Sequence, residues 1–141
     1  MRIAIGTAPR TDPFGGGNQF ARILSKALQE ENHEVFFDLK TDRLDVILIT
    51  EPRLWLQASA FGPLAAARYL EKLSPNTIVV HRINECDQRK GTKSVNKQLA
   101  LSNSVADHTV FISEWLSDIF RRCNLTRSQS VIRNGADKDM F

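Results

Sequence analysis

The chain has 141 residues and a net charge of +3, with 42% hydrophobic and 25% charged residues. That suits one globular domain and not two, and it holds enough core to fold without disulfides or a structural metal. No apolar run approaches the roughly 18–20 residues of a membrane helix, and the start, Met1-Arg2-Ile3-Ala4-Ile5-Gly6, is a strand pattern too short for a signal peptide, so a cytoplasmic protein is expected. Cys86 and Cys123 form no Cys-x-x-Cys pair and no zinc spacing, and are expected as reduced thiols. The mildly basic balance, with a pI near 9.1, suits an anionic ligand, an anionic membrane face or nucleic acid.

In chain order, residues 2–6 (RIAIG) predict a first strand, followed by a polar, glycine-containing loop over 7–17. A helix is predicted over 18–31, where Phe20, Ile23, Leu24, Ala27 and Leu28 make one apolar stripe, with Asn32-His33 as its stop. Residues 35–37 are a short second strand and 45–50 (DVILIT) a third, apolar enough to be buried on both faces. A parallel crossover usually takes about 10–12 residues, and only 38–44 lie between them. Either one helical turn crosses tightly or this edge of the sheet lacks its usual helix.

Residues 62–73 predict a helix packing through Leu64, Ala67, Arg68 and Leu73, stopped by Pro75-Asn76. Then come a buried strand over 77–83 (TIVVHRI), a polar loop over 84–91, and a helix over 92–103 with a thin stripe through Val95 and Leu99. A strand over 108–112 leads to Ser113, a helix cap, and to a helix carrying Trp115, Leu116, Ile119, Phe120 and Cys123. A last strand spans 129–133, before the turn signal Asn134-Gly135. The alternation of strands and helices predicts an α/β, Rossmann-like, doubly wound and mostly parallel sheet in one domain over 1–141. Ligands bind such sheets beyond the carboxyl ends of the strands, which here are residues 6–17, 50–53, 81–91, Ser113 and 133–135.

Gly15-Gly16-Gly17 precede a helix, where glycine backbone and free N–H groups suit a phosphate; a plain flexible turn is the other reading. The spacing is neither the G-x-G-x-x-G fingerprint nor a Walker loop, and Lys90-Gly91-Thr92-Lys93-Ser94 lacks the upstream glycine. His81 ends a buried strand and is either a satisfied structural histidine or a group that holds or polarises a hydroxyl. Arg82, Asn84, Glu85 and Arg89 follow as a solvated loop or a site wall. Two basic groups, Arg89/Lys90/Lys93/Lys97 and Arg121/Arg122/Arg127, are solvated faces, a lipid-facing surface or phosphate binders. Nucleic acid has the least support, with no helix-turn-helix, zinc-finger or aromatic–basic pattern. No Gly-x-Ser-x-Gly elbow, metal cluster or carboxylate pair is present. The carboxylates in the presumed site loops are Asp12, Glu51, Glu85 and Asp87.

Three stretches together resemble the N-terminal domain of GT-B glycosyltransferases of family 4, which are retaining and use nucleotide sugars. The first runs from Gly15-Gly16-Gly17-Asn18-Gln19-Phe20 through the helix to Asn32-His33-Glu34-Val35; it is similar to the family's glycine pair, first helix and "GHEV"-like strand entry. The second is Ala106-Asp107-His108-Thr109-Val110-Phe111-Ile112-Ser113. The third is Val131-Ile132-Arg133-Asn134-Gly135-Ala136-Asp137 with Phe141, which resembles the segment entering the interdomain linker. The resemblance spans nearly the whole chain but one of the family's two domains.

It implies an acceptor-side half of a glycosyltransferase that moves a sugar from a nucleotide-sugar donor to a glycan, lipid or small-molecule acceptor. The site residues it implies are His81, touching the transferred sugar; Gly16 and Gly17, approaching the donor diphosphate and sugar; Ser113, capping a helix that faces the cleft; and Asn134, beside the hinge. Gly15, Asn18, Arg82, Asn84, Glu85 and Arg89 join them as candidate donor- or acceptor-binding residues. No metal or cofactor is implied. The expected partner is a separate C-terminal domain or a second copy, with peripheral contact to an anionic membrane face. Departures are Arg133 where the family's "PNG" has proline, the shortened crossover, and the absence of the C-terminal domain's glutamate pair spaced eight apart. A non-catalytic glycan- or nucleotide-binding module of the same fold is the alternative. A different Rossmann-like nucleotide binder is a third reading, opposed by the missing fingerprint.

Overall fold

The computed structural model describes residues 1–11, 15–53, 56–123, 125 and 128–135. Asp12, Arg127, and the Ala136, Asp137 and Phe141 of the third resembling stretch lie outside them. The apolar runs become strands β1 (Arg2–Ile5), β2 (Glu34–Phe36), β3 (Val46–Ile49), β4 (Ile78–Ile83), β5 (His108–Phe111) and β6 (Gln129–Val131). They pair in the order β2-β1-β3-β4-β5-β6, and every pairing is parallel. The helices are α1 (Gly15–Glu30), α2 (Pro63–Lys72), α3 (Asp87–Lys90), α4 (Val95–Ser102) and α5 (Glu114–Phe120), with a 3₁₀ turn at Asn103–Val105. The chain is thus a Rossmann-like doubly wound α/β domain. The short α3 falls where a loop was expected over 84–91.

From β1 the chain crosses to one side, to β2; from β3 it steps the other way, to β6. Right-handed crossovers in opposite directions put their helices on opposite faces. Ile3 and Ile5 accordingly pack with Ala21 of α1, alongside Leu24, Leu28, Val46 and Leu48. On the other face Ala4, Ile47, Ile49 and Val79 pack with Ala66 and Tyr69 of α2. Farther along that face Ile83 and Phe111 pack with Val95 and Leu99 of α4 and Leu116 and Phe120 of α5.

One helix packs on a different stripe from the one its sequence suggests, and a second keeps its stripe but for one residue. In α2, Leu64 and Leu73 are exposed and Ala66 and Tyr69 are buried. The reason is the Tyr69 hydroxyl, which accepts from the Leu44 N–H at 2.8 Å and donates to the Thr41 carbonyl at 2.8 Å, turning the helix onto that seam. In α5, Leu116 and Phe120 are buried and Trp115 is exposed.

The short β2–β3 link contains no helix, so this edge has lost its usual one. The link crosses as irregular chain whose Leu39 and Leu44 plug the core beside α2. Tyr69 holds its backbone, and Arg2 bonds Thr41 Oγ1 at 2.6 Å. Capping follows the sequence elsewhere. Asn32 takes φ 61° and the His33 N–H bonds the Leu28 carbonyl, ending α1. Ser113 Oγ accepts from the Leu116 N–H at 3.2 Å, starting α5. Among the described residues no helix is long and apolar enough to cross a membrane.

Candidate functional site

In sheets of this topology the ligand crevice opens between the carboxyl ends of the two strands where the winding reverses. Here those are β1 and β3, and that crevice is filled. Thr7 Oγ1 and Thr50 Oγ1 share a buried hydrogen bond of 2.7 Å. Thr7 also bridges to Ser59, and the Ala60 N–H bonds the Gly6 carbonyl. The open space lies one step over, between the start of α1 and the ends of β4 and β6.

Arg82 stands at its centre. As the penultimate residue of β4 it points to the α1 face, because it alternates with Ile83, which packs on the other face, and it shares the groove with its register partner Val110. It is 6% exposed. Its guanidinium lies 3.7 Å from the centroid of the Phe20 ring, and Nη2 donates to Asn134 Oδ1 at 2.9 Å. Both are neutral partners. Burial pushes the Arg82 pKa down to about 10, so it stays charged at neutral pH.

Two cavities meet at this side chain. The smaller, of about 200 Å³, is polar, with Gly16, Gly17, Asn84, Glu85, Arg89 and Lys90 among its walls. The larger is a groove of about 720 Å³ between α1 and the sheet, floored by Leu48 and Val110 and flanked by Phe20, Ile23 and Ile132. Gly16, Arg82 and Asn134 line both. A Cβ built at Gly16 or Gly17 meets nothing within 4 Å, so the space over these glycines is open to a ligand.

The carboxylates here are engaged. Glu51 takes the Arg53 guanidinium in a fork, at 2.6 and 2.7 Å. Arg53 also ion-pairs with the buried Glu85, whose other oxygen lies 3.3 Å from Lys90 Nζ. The hydrogen bond it donates to Glu51, with the charges of Glu51 and Glu85, holds Arg53 above its ordinary value despite burial. Asp87 bonds Thr92 Oγ1 and the Val95 and Asn96 N–H groups, fastening α3 to the start of α4. That fixes the backbone carrying Arg89 and Lys90.

The structure brings together Gly16, Gly17, Arg82, Asn84, Glu85, Arg89 and Asn134. It does not bring in the others. Asn18 is buried and locks the preceding loop, accepting from the Arg10 N–H at 2.7 Å and donating to the Arg10 carbonyl at 3.1 Å. Gly15 takes φ +63° to open α1 and lines neither cavity. Ser113 is spent on its helix cap. His81 alternates with Arg82 and so points to the opposite face, where it is 0% exposed. Asn103 Nδ2 donates to His81 Nδ1 at 3.2 Å and to Thr109 Oγ1 at 2.7 Å. Burial pushes the His81 pKa down to about 4, and its Nε2 has no partner among the described residues. The structural reading of this histidine fits its surroundings; it faces neither cavity.

Sequence reasoning missed Phe20 and Ile23 as site residues, assigning both to the core. The signal was there: the α1 stripe is wider than one packed face needs. Leu28 packs on the sheet, Phe20, Ile23 and Ala27 line the groove, and Leu24 does both. Lys90, expected in a basic group that is a solvated face, a lipid-facing surface or a phosphate binder, lines the polar cavity. Among the described residues no three His, Cys, Asp or Glu side chains converge as a metal site. Neither a scan against models of known protein families nor a search of curated proteins finds a match to this chain.

Proposed function

We propose that this domain is the acceptor-side half of a retaining glycosyltransferase of the GT-B kind, acting on a nucleotide sugar together with a C-terminal, donor-binding half. The observation that carries the reading is the convergence of open glycines, Arg82, Arg89 and Asn134 at the carboxyl edge of a parallel sheet; the glycines and Asn134 belong to the resembling stretches. In this reading the α1 N-terminus and Arg82 face the donor phosphates across the cleft. The other half supplies most of the stabilisation of the leaving diphosphate. Glu85, the one carboxylate among the polar cavity's described walls, is held by Arg53 and Lys90, which favours, as a second reading, a binding module that performs no transfer.

The test is transfer from labelled nucleotide sugars, with the chain alone and with the domain encoded by the neighbouring reading frame. The half-enzyme reading expects negligible turnover alone and turnover when paired. Full turnover by the isolated chain would sink it, and so would glycan binding without transfer in the pair.

A further inference from the structure

We propose that the acceptor of this site is an anionic amphiphile, with a phosphate seated on Arg82 in the polar cavity and an apolar chain lying along the groove between α1 and the sheet. The proposal deepens the acceptor-side reading above.

Parallel sheets normally have both faces covered. On the α1 face, α1 covers β1 and β3, and among the described residues no helix covers β4 to β6. Ile132 is 60% exposed there, and Ile23 of α1, at 40%, lines the same groove. An apolar groove of this size, within the roughly 300–1,000 Å³ of small-molecule sites, calls for an apolar occupant.

Charge at its end says which kind. Arg82 is a buried cation whose described partners, an amide and a ring, carry no charge. A planar guanidinium fork matches the oxygens of a phosphate. Arg89 and Lys90 add positive charge to the same cavity, and its one carboxylate, Glu85, is already held by Arg53 and Lys90. At the far end Lys26 and Glu30 pair with each other at 3.8 Å. The surplus charge is therefore positive and sits at one end of an apolar trough. The two cavities share Gly16, Arg82 and Asn134, so one molecule can occupy both.

The test is calorimetric titration of the chain, below micelle concentrations, with hexyl, octyl and decyl phosphate, inorganic phosphate and decyl maltoside. Burial of the chain should raise affinity roughly threefold to fourfold per added methylene. Arg82→Gln should weaken decyl phosphate by about tenfold or more and leave decyl maltoside unchanged. Ile23→Glu, at a half-exposed helix position, should flatten the chain-length dependence. Should Arg82→Gln fail to fold, the ligand series on the unaltered chain and Ile23→Glu still decide. Affinity independent of chain length, inorganic phosphate binding as tightly as decyl phosphate, or decyl maltoside binding equally well would each overturn the proposal. Because no donor or second half is present, failure here leaves the transfer reading standing, and failure of transfer leaves this one standing.

Discussion

Acidification should destabilise this domain through His81. The ring is neutral in the folded state, with its pKa held near 4 by burial, against an ordinary 6.5. A depressed folded value means that the unfolded chain binds the extra proton first. The stability is therefore fully present above about pH 6.5 and is lost as pH falls from there toward about 4. At about 1.4 kcal/mol per pH unit across that window, the loss is about 3 kcal/mol, a large part of the roughly 5–15 kcal/mol that holds a domain together. The assay is urea unfolding at steps from pH 7 to pH 4. At about 1–3 kcal/mol per molar urea, the midpoint should fall by roughly 1–3 M through His81 alone. His81→Asn keeps an acceptor near the Nδ1 position for Asn103 Nδ2 but does not titrate, so the difference between the two chains isolates the histidine. Equal pH dependence in both, or a His81 ring resonance titrating near 6.5, would refute the reasoning and return His81 to the list of groups that reach solvent.

Tyr69→Phe should cost about 1–3 kcal/mol in unfolding free energy, because it strips hydrogen bonds from a buried N–H at Leu44 and from the Thr41 carbonyl; a change under about 0.5 kcal/mol would mean that the β2–β3 link does not depend on it. Ser113→Ala should cost about 1 kcal/mol through the lost cap of α5, measured as a lowered urea midpoint. Gly16→Val should leave stability within about 0.5 kcal/mol, since its Cβ strikes nothing in the protein. The same substitution should abolish transfer by the paired enzyme; unimpaired transfer would show that no ligand approaches this backbone.

Local chemistry settled much of this protein. Strand-length apolar runs alternating with amphipathic helices specify a parallel sheet, because each run buries both faces and each link must cross. The Ser113 cap and the Asn32 stop were legible for the same reason: a cap depends on its own neighbours in the chain. The resemblance of the three stretches was likewise a property of sequence order alone.

Direction in space was not legible. Adjacent strand residues point to opposite faces, so His81 and Arg82, neighbours with similar claims in the sequence, part company in the sheet. One is sealed against Asn103 and the other opens on two cavities. Which edge of the α1 stripe meets the sheet depends on where β4 to β6 lie, and that follows from long-range pairing. The same holds for the α2 face, turned by a hydroxyl that reaches back to residues 41–44. The strands and long helices, and where most of them stop, could be read along the chain, because those are contests between near neighbours; the short α3 could not. That Gly16, Arg82, Arg89 and Asn134 share one wall came from folding, because they are far apart in the chain and meet only where parallel strands end together.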